Sequence, residues 1–154
     1  MLYREMDRAQ LDAAYNNSAA VPERDAIVAG WAARSARVRR EHAGRLDLAY
    51  GETPRERLDL FLAADPQAPT LAFIHGGYWQ INDLVKESFA FFAEALLSLG
   101  INLAVIEYTL APAARLDRIV DEVRRSIRGS PNISASAAPT RPGYIFPDIR
   151  PAAS

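Results

Sequence analysis

Thr70-Leu71-Ala72-Phe73-Ile74-His75-Gly76-Gly77-Tyr78-Trp79 is the stretch on which the reading of this chain turns. Its first five residues form a short, unbroken apolar run, as expected of a strand buried on both faces in a parallel sheet. His75-Gly76-Gly77 ends that run. Two adjacent glycines let a backbone bend until successive N–H groups point at one place. Acyl transfer needs such an arrangement, because its tetrahedral intermediate carries an oxyanion that must meet preorganised donors. The bland alternative is a tight turn containing a loop histidine.

Downstream of the loop, Phe89, Phe92, Ala93, Leu96 and Leu97 recur at helical spacing, and Gly100 is a natural stop. Ile101 to Ile106 reads as a second buried strand. Leu116, Ile119, Val120, Val123 and Ile127 then form a helical stripe, with Asp117, Asp121, Glu122 and Arg124 on the other side. Asp83 and Lys86 lie in the loop ahead of the first of these helices, where Asp83 suits an N-cap.

Upstream, Leu58, Leu60 and Leu62 alternate with Asp59 and Phe61, while Leu46, Leu48 and Tyr50 alternate with Asp47 and Ala49. Around the turn at Gly51 to Pro54 these two runs predict an antiparallel pair. The first forty-odd residues are helical in pattern, with Leu11 and Tyr15 one turn apart and Pro22 opening a second helix. Ile27, Trp31 and Val38 share one face of that helix; Arg34, Arg37, Arg39, Arg40 and Glu41 are its solvated side. The order is therefore helices, an antiparallel pair, then strand-helix-strand-helix. This is an α/β fold, the N-terminal part of a largely parallel sheet.

Composition narrows the function. The chain has 154 residues, a net charge of -1 and 49% hydrophobic residues, an ordinary globular balance without the basic face that nucleic acid requires. There is no cysteine, which excludes thiolate metal sites and suits a cytoplasmic location. With His42 and His75 the only histidines, no histidine-built metal site is expected. The most apolar stretch, Phe89 to Ile106, is interrupted by Glu94, Gly100 and Asn102, so no membrane span is expected.

Several pieces together resemble the kynurenine formamidase (arylformamidase) and esterase branch of the α/β-hydrolases. They are Tyr15-Asn16-Asn17, Arg57-Leu58-Asp59-Leu60-Phe61, His75-Gly76-Gly77-Tyr78-Trp79 and Tyr108-Thr109-Leu110-Ala111-Pro112, within residues 10 to 127. The resemblance implies that the backbone N–H groups of Gly76, Gly77 and Tyr78 form an oxyanion hole on the loop after the third strand. It implies that His75, Tyr78 and Trp79 line the site of a small ester or formamide, and that no cofactor or metal takes part. Tyr78 and Trp79 are equally readable as aromatic core beside the loop. His75 is not the expected catalytic base, which in this fold comes late in the chain.

The family's nucleophile sits in a G-x-S-x-G turn, and these 154 residues contain none. Ser130, Ser134 and Ser136 lack the glycine frame, and neither a later acid-bearing strand nor a later histidine is present. Residues 1-128 accordingly read as a partial hydrolase domain. Residues 129-154 read as an aperiodic, disordered tail holding five of the ten prolines. When Ala138 to Ala152 are written in permitted codons and regrouped one nucleotide earlier, the new frame spells G-A-D-P-A-R-I-Y-L-S-G-H-S-A-G. That is a strand followed by the missing elbow. A one-base frameshift near the codons of Ile127 and Arg128 would account for the tail; because the codons are chosen, coincidence is the alternative. The expectation is a serine hydrolase that is inactive as written, the alternative a non-catalytic binding or regulatory remnant. In either case an open sheet edge would favour self-association or aggregation.

Overall fold

The computed structural model describes residues 3–16, 18–42, 44–65 and 67–129. The tail from residue 130 onward lies outside the described residues. Four strands form one mixed sheet: β1 (Gly44–Ala49), β2 (Arg57–Phe61), β3 (Thr70–Ile74) and β4 (Asn102–Ile106), in the order β1-β2-β4-β3. β1 and β2 are the expected antiparallel pair. β4 runs antiparallel to β2 and parallel to β3, with Thr70 opposite Asn102 and Ile74 opposite Ile106. Because β3 and β4 are parallel and in register, the loops that follow them leave the same end of the sheet, where open α/β sheets place their ligands.

The helices are α1 (Arg8–Tyr15), α2 (Arg24–Glu41), a 3₁₀ helix (Lys86–Phe92) continuing into α3 (Ala93–Ser98), and α4 (Leu116–Gly129). The spacing of Phe89 to Leu97 thus yields a 3₁₀ turn before the α-helix. Its cap position is Val85 without a side-chain bond, so Asp83 is not the N-cap. Gly100, at φ 70, ends the element as expected. α2 starts at Arg24, leaving Pro22 ahead of it.

α2 lies against the 3₁₀ helix. Trp31 stacks on Phe91 at 5.8 Å, and the buried Ser35 hydroxyl donates to the Ser88 carbonyl (2.9 Å) while accepting the Phe91 N–H (3.1 Å). Arg34, Arg37 and Arg40 are exposed, as expected of its solvated side, whereas Arg39 departs from it. Arg34 and Arg37 both clasp Glu94, at 2.6 and 2.7 Å, and Arg39 reaches inward to the fully buried Asp59.

The two apolar runs have different fates. All five residues of β4 are buried, because β4 has a strand on either side and helix over it. β3 is at the edge of the described sheet, and Leu71 and Ile74 stay 41% and 43% exposed, against the expectation of burial on both faces. β2 is the converse case. Its alternation predicts one solvated face, yet as an inner strand it buries Asp59 and Phe61 as fully as Leu58 and Leu60, and Leu62 falls outside it.

In β1 the alternation is broken by an irregularity between Arg45 and Leu48, where Asp47 takes a left-handed φ of 56°. The Asp47 N–H is held by the Asp59 carboxylate at 2.9 Å. In α4 the stripe is only partly interior. Ile119 is buried and Val123 half-buried, whereas Leu116, Val120 and Ile127 are exposed and Glu122 is fully buried.

Candidate functional site

After Ile74 the chain makes a short left-handed passage: φ is 127° at Gly77, 51° at Tyr78 and 57° at Trp79. Only glycine adopts such angles freely, and each non-glycine residue held there costs about 1–3 kcal/mol. The turn is closed by Gln80 and Ile81, whose N–H groups both donate to the Gly77 carbonyl at 3.0 and 2.9 Å. The neighbouring loop holds it from outside: the Ala111 N–H donates to the Trp79 carbonyl at 2.7 Å, and the buried Tyr108 hydroxyl to the His75 carbonyl at 2.8 Å. Among the described residues, the N–H groups of Gly76, Gly77, Tyr78 and Trp79 make no hydrogen bond within the chain. Successive free donors in a left-handed turn form an anion-accepting concavity.

His75 lies behind this turn rather than in front of it. It is buried, with its ring stacked on Tyr108 at 4.6 Å. Nδ1 meets the Gly76 carbonyl at 2.8 Å, and Nε2 meets Glu107 at 3.0 Å. Tyr78 and Trp79 are 63% and 52% exposed, so they are not aromatic core.

Glu107 had no place in the sequence reading, although the register foretells it. Ile74 pairs with Ile106, so the residues one step beyond each strand, His75 and Glu107, emerge side by side. Burial pushes the Glu107 carboxyl up, but bonds from His75, the Lys86 N–H and Arg55 outweigh it and hold it below the usual carboxylate range. Lys86 is the buried first residue of the 3₁₀ helix, not part of the loop ahead of it. Its buried ammonium donates to Asp47 (2.6 Å), Asp59 (2.9 Å) and Glu87 (2.7 Å), which uses all three of its protons.

No described serine is paired with an imidazole: Ser35, Ser98 and Ser126 donate to backbone carbonyls, and His75 is occupied by Glu107. Among the described residues no three acidic, histidine or cysteine side chains gather as a metal site. Nor is any described helix long and apolar enough to cross a membrane. Two concavities, of about 340 and 520 Å³, are lined by none of the loop residues.

No family model matches the chain. It is 37% identical over 84 residues to a kynurenine formamidase of Danio rerio. It is 35% identical over 80 residues to a protein of Oryza sativa subsp. japonica described as an isoprenylcysteine alpha-carbonyl methylesterase. These matches take in 53% and 51% of this chain but only 28% and 19% of those proteins. A crystal structure described as that of a thioesterase from Silicibacter sp. TM1040 superposes with a TM-score of 0.70 at 32% identity, over 77% of this chain and 45% of that one. The chain has the α/β-hydrolase fold over the part of that fold it spans. Esterase B from Lactobacillus rhamnosis, at 21% identity and a TM-score of 0.50 over 73% of this chain and 39% of that one, shares the fold. Within this fold, the Gly76–Trp79 turn follows β3, with free N–H groups among the described residues.

Proposed function

We propose that this chain carries the oxyanion-binding part of a serine hydrolase of the arylformamidase or carboxylesterase type, and that it is inactive as written. The observation that carries the reading is the run of free N–H donors at Gly76, Gly77 and Tyr78, held in a strained turn at the end of a strand. The matches to a kynurenine formamidase and a methylesterase support the substrate class, a small ester or formamide. In the complete enzyme a serine oxygen attacks the carbonyl carbon. The carbonyl oxygen becomes the oxyanion and is met by these donors, while a histidine takes the serine proton and returns it to the leaving alcohol or amine. Water then releases the acyl or formyl group. The exposed Tyr78 and Trp79 offer flat apolar surface to an aryl substrate. We place the serine in the shifted reading frame, where one choice of permitted codons for Ala138 to Ala152 spells G-H-S-A-G.

The test is turnover of a phenyl acetate and of an N-formyl aniline by this chain and by its frame-restored counterpart. The chain as given should hydrolyse neither. The restored protein should hydrolyse at least one, and Gly77→Ala, which puts a side chain at φ 127°, should lower that kcat by roughly 10²–10³, the value of a lost oxyanion donor. A restored protein without turnover would favour a non-catalytic role.

A further inference from the structure

We propose that Glu107 is a positioning residue: acting through His75, it dictates which way the donors of the Gly76–Tyr78 loop point. The proposal rests on reading that loop as an oxyanion hole, but its geometry stands by itself. In a trans peptide the C=O of one residue and the N–H of the next point in opposite directions. Pinning a carbonyl therefore aims the following N–H. The His75 carbonyl is pinned by the buried Tyr108 hydroxyl at 2.8 Å, which turns the Gly76 N–H away from Tyr108. The Gly76 carbonyl is pinned by His75 Nδ1 at 2.8 Å, which turns the Gly77 N–H away from the His75 ring. The Gly77 carbonyl is pinned by the N–H groups of Gln80 and Ile81, which orients the Tyr78 N–H. Three successive carbonyls are thus occupied, and their three partner N–H groups are left free.

The middle pin depends on the orientation of the imidazole, and Glu107 sets that orientation. Its Oε1 lies 3.0 Å from His75 Nε2, so the ring, stacked on Tyr108, is held at both nitrogens. Both ring nitrogens thus face oxygens, Nδ1 the Gly76 carbonyl and Nε2 the Glu107 carboxylate. Glu107 is itself immobilised by other parts of the fold. Arg55 Nη2, from the β1–β2 turn, donates to Oε1 at 2.9 Å; the Tyr108 N–H reaches the same oxygen at 3.2 Å; the Lys86 N–H, which opens the 3₁₀ helix, donates to Oε2 at 3.0 Å. One buried carboxylate thereby joins the turn, the helix and both strand ends to the loop. A glutamine at 107 would set an NH₂ group against at least one of these donors.

The experiment is ¹⁵N relaxation on the chain as it exists, on Glu107→Gln, and on Tyr108→Phe, which removes only the hydroxyl pin. The wild-type Gly76, Gly77 and Tyr78 amides should have order parameters near ~0.85, as in rigid backbone, and both variants should bring them below ~0.6 while the β4 amides keep their values. Loop amides that stay rigid in both variants, or that are already mobile in the wild type, overturn the proposal. So does an equal loss of order in β4, which would make Glu107 and Tyr108 general supports of the fold. The readout needs no nucleophile, so a frame-restored protein without turnover would count against the hydrolase reading and leave this result intact.

Discussion

Glu56 shows how a single buried carboxylate can hold a turn and a helix together. It is 3% exposed and accepts the Thr53 N–H (2.9 Å), which closes the β1–β2 turn, and Arg125 Nη2 from α4 (2.6 Å). A side chain at Gly51 would displace the Glu56 carboxylate from this position. Burial alone would raise the Glu56 pKa, but the Thr53 and Arg125 bonds outweigh it and bring it from 4.5 down to about 2. A depressed carboxylate stabilises the fold above its unfolded pKa and loses that contribution as pH falls through the folded value. The wild type should therefore lose stability between pH 4.5 and about 2. Glu56→Gln should be weaker at neutral pH by about 1.5–3 kcal/mol, the worth of a hydrogen bond to a charged group, and should lose less across the acid window. Urea midpoints measured against pH decide this, and equal acid slopes for the two proteins would refute it. Residues such as Glu56, Glu107 and Arg39 were not legible in the sequence. An acid or arginine in an amphipathic pattern is read as solvated, and only its neighbours in space reveal that it is buried with a partner.

At the scale of the element, the antiparallel pair, both parallel strands, the helix stop at Gly100 and the His75-to-Trp79 loop were all legible, because periodicity and glycine placement are local signals. Strand order was not. Thr70–Ile74 and Asn102–Ile106 are the same kind of apolar run, yet β4 sits between β2 and β3 while β3 has a described partner on one side only. Burial within a run depends on that order, so Leu71 and Ile74 were misjudged. An edge strand that shows apolar side chains and unpaired backbone is a template for association. Leu71→Lys should therefore lower concentration-dependent aggregation, measured by light scattering. It should shift the unfolding midpoint little, because the side chain is already 41% exposed. Unchanged scattering would place the sticky surface elsewhere, with the exposed Leu116, Val120 and Ile127 of α4 as the next candidates.

For the molecule as a whole, the sheet and the matched structures agree on an α/β-hydrolase fold, while the 154 residues contain no G-x-S-x-G motif. Under the proposed reading, the strained turn at Tyr78 and Trp79 is part of an oxyanion hole that acts only beside a serine. Under the proposal, one choice of permitted codons for the last residues, read in the shifted frame, spells a strand and then a G-x-S-x-G elbow after α4. The measurement that tests this most directly is the nucleotide sequence of the gene from the codon of Ile127 through that of Ser154 and onward. The expected result is an alternative frame that reads through a G-x-S-x-G elbow and stays open to an acid and a histidine. A confirmed present frame, with no such open frame beside it, would contradict the account and leave binding as the role of this chain.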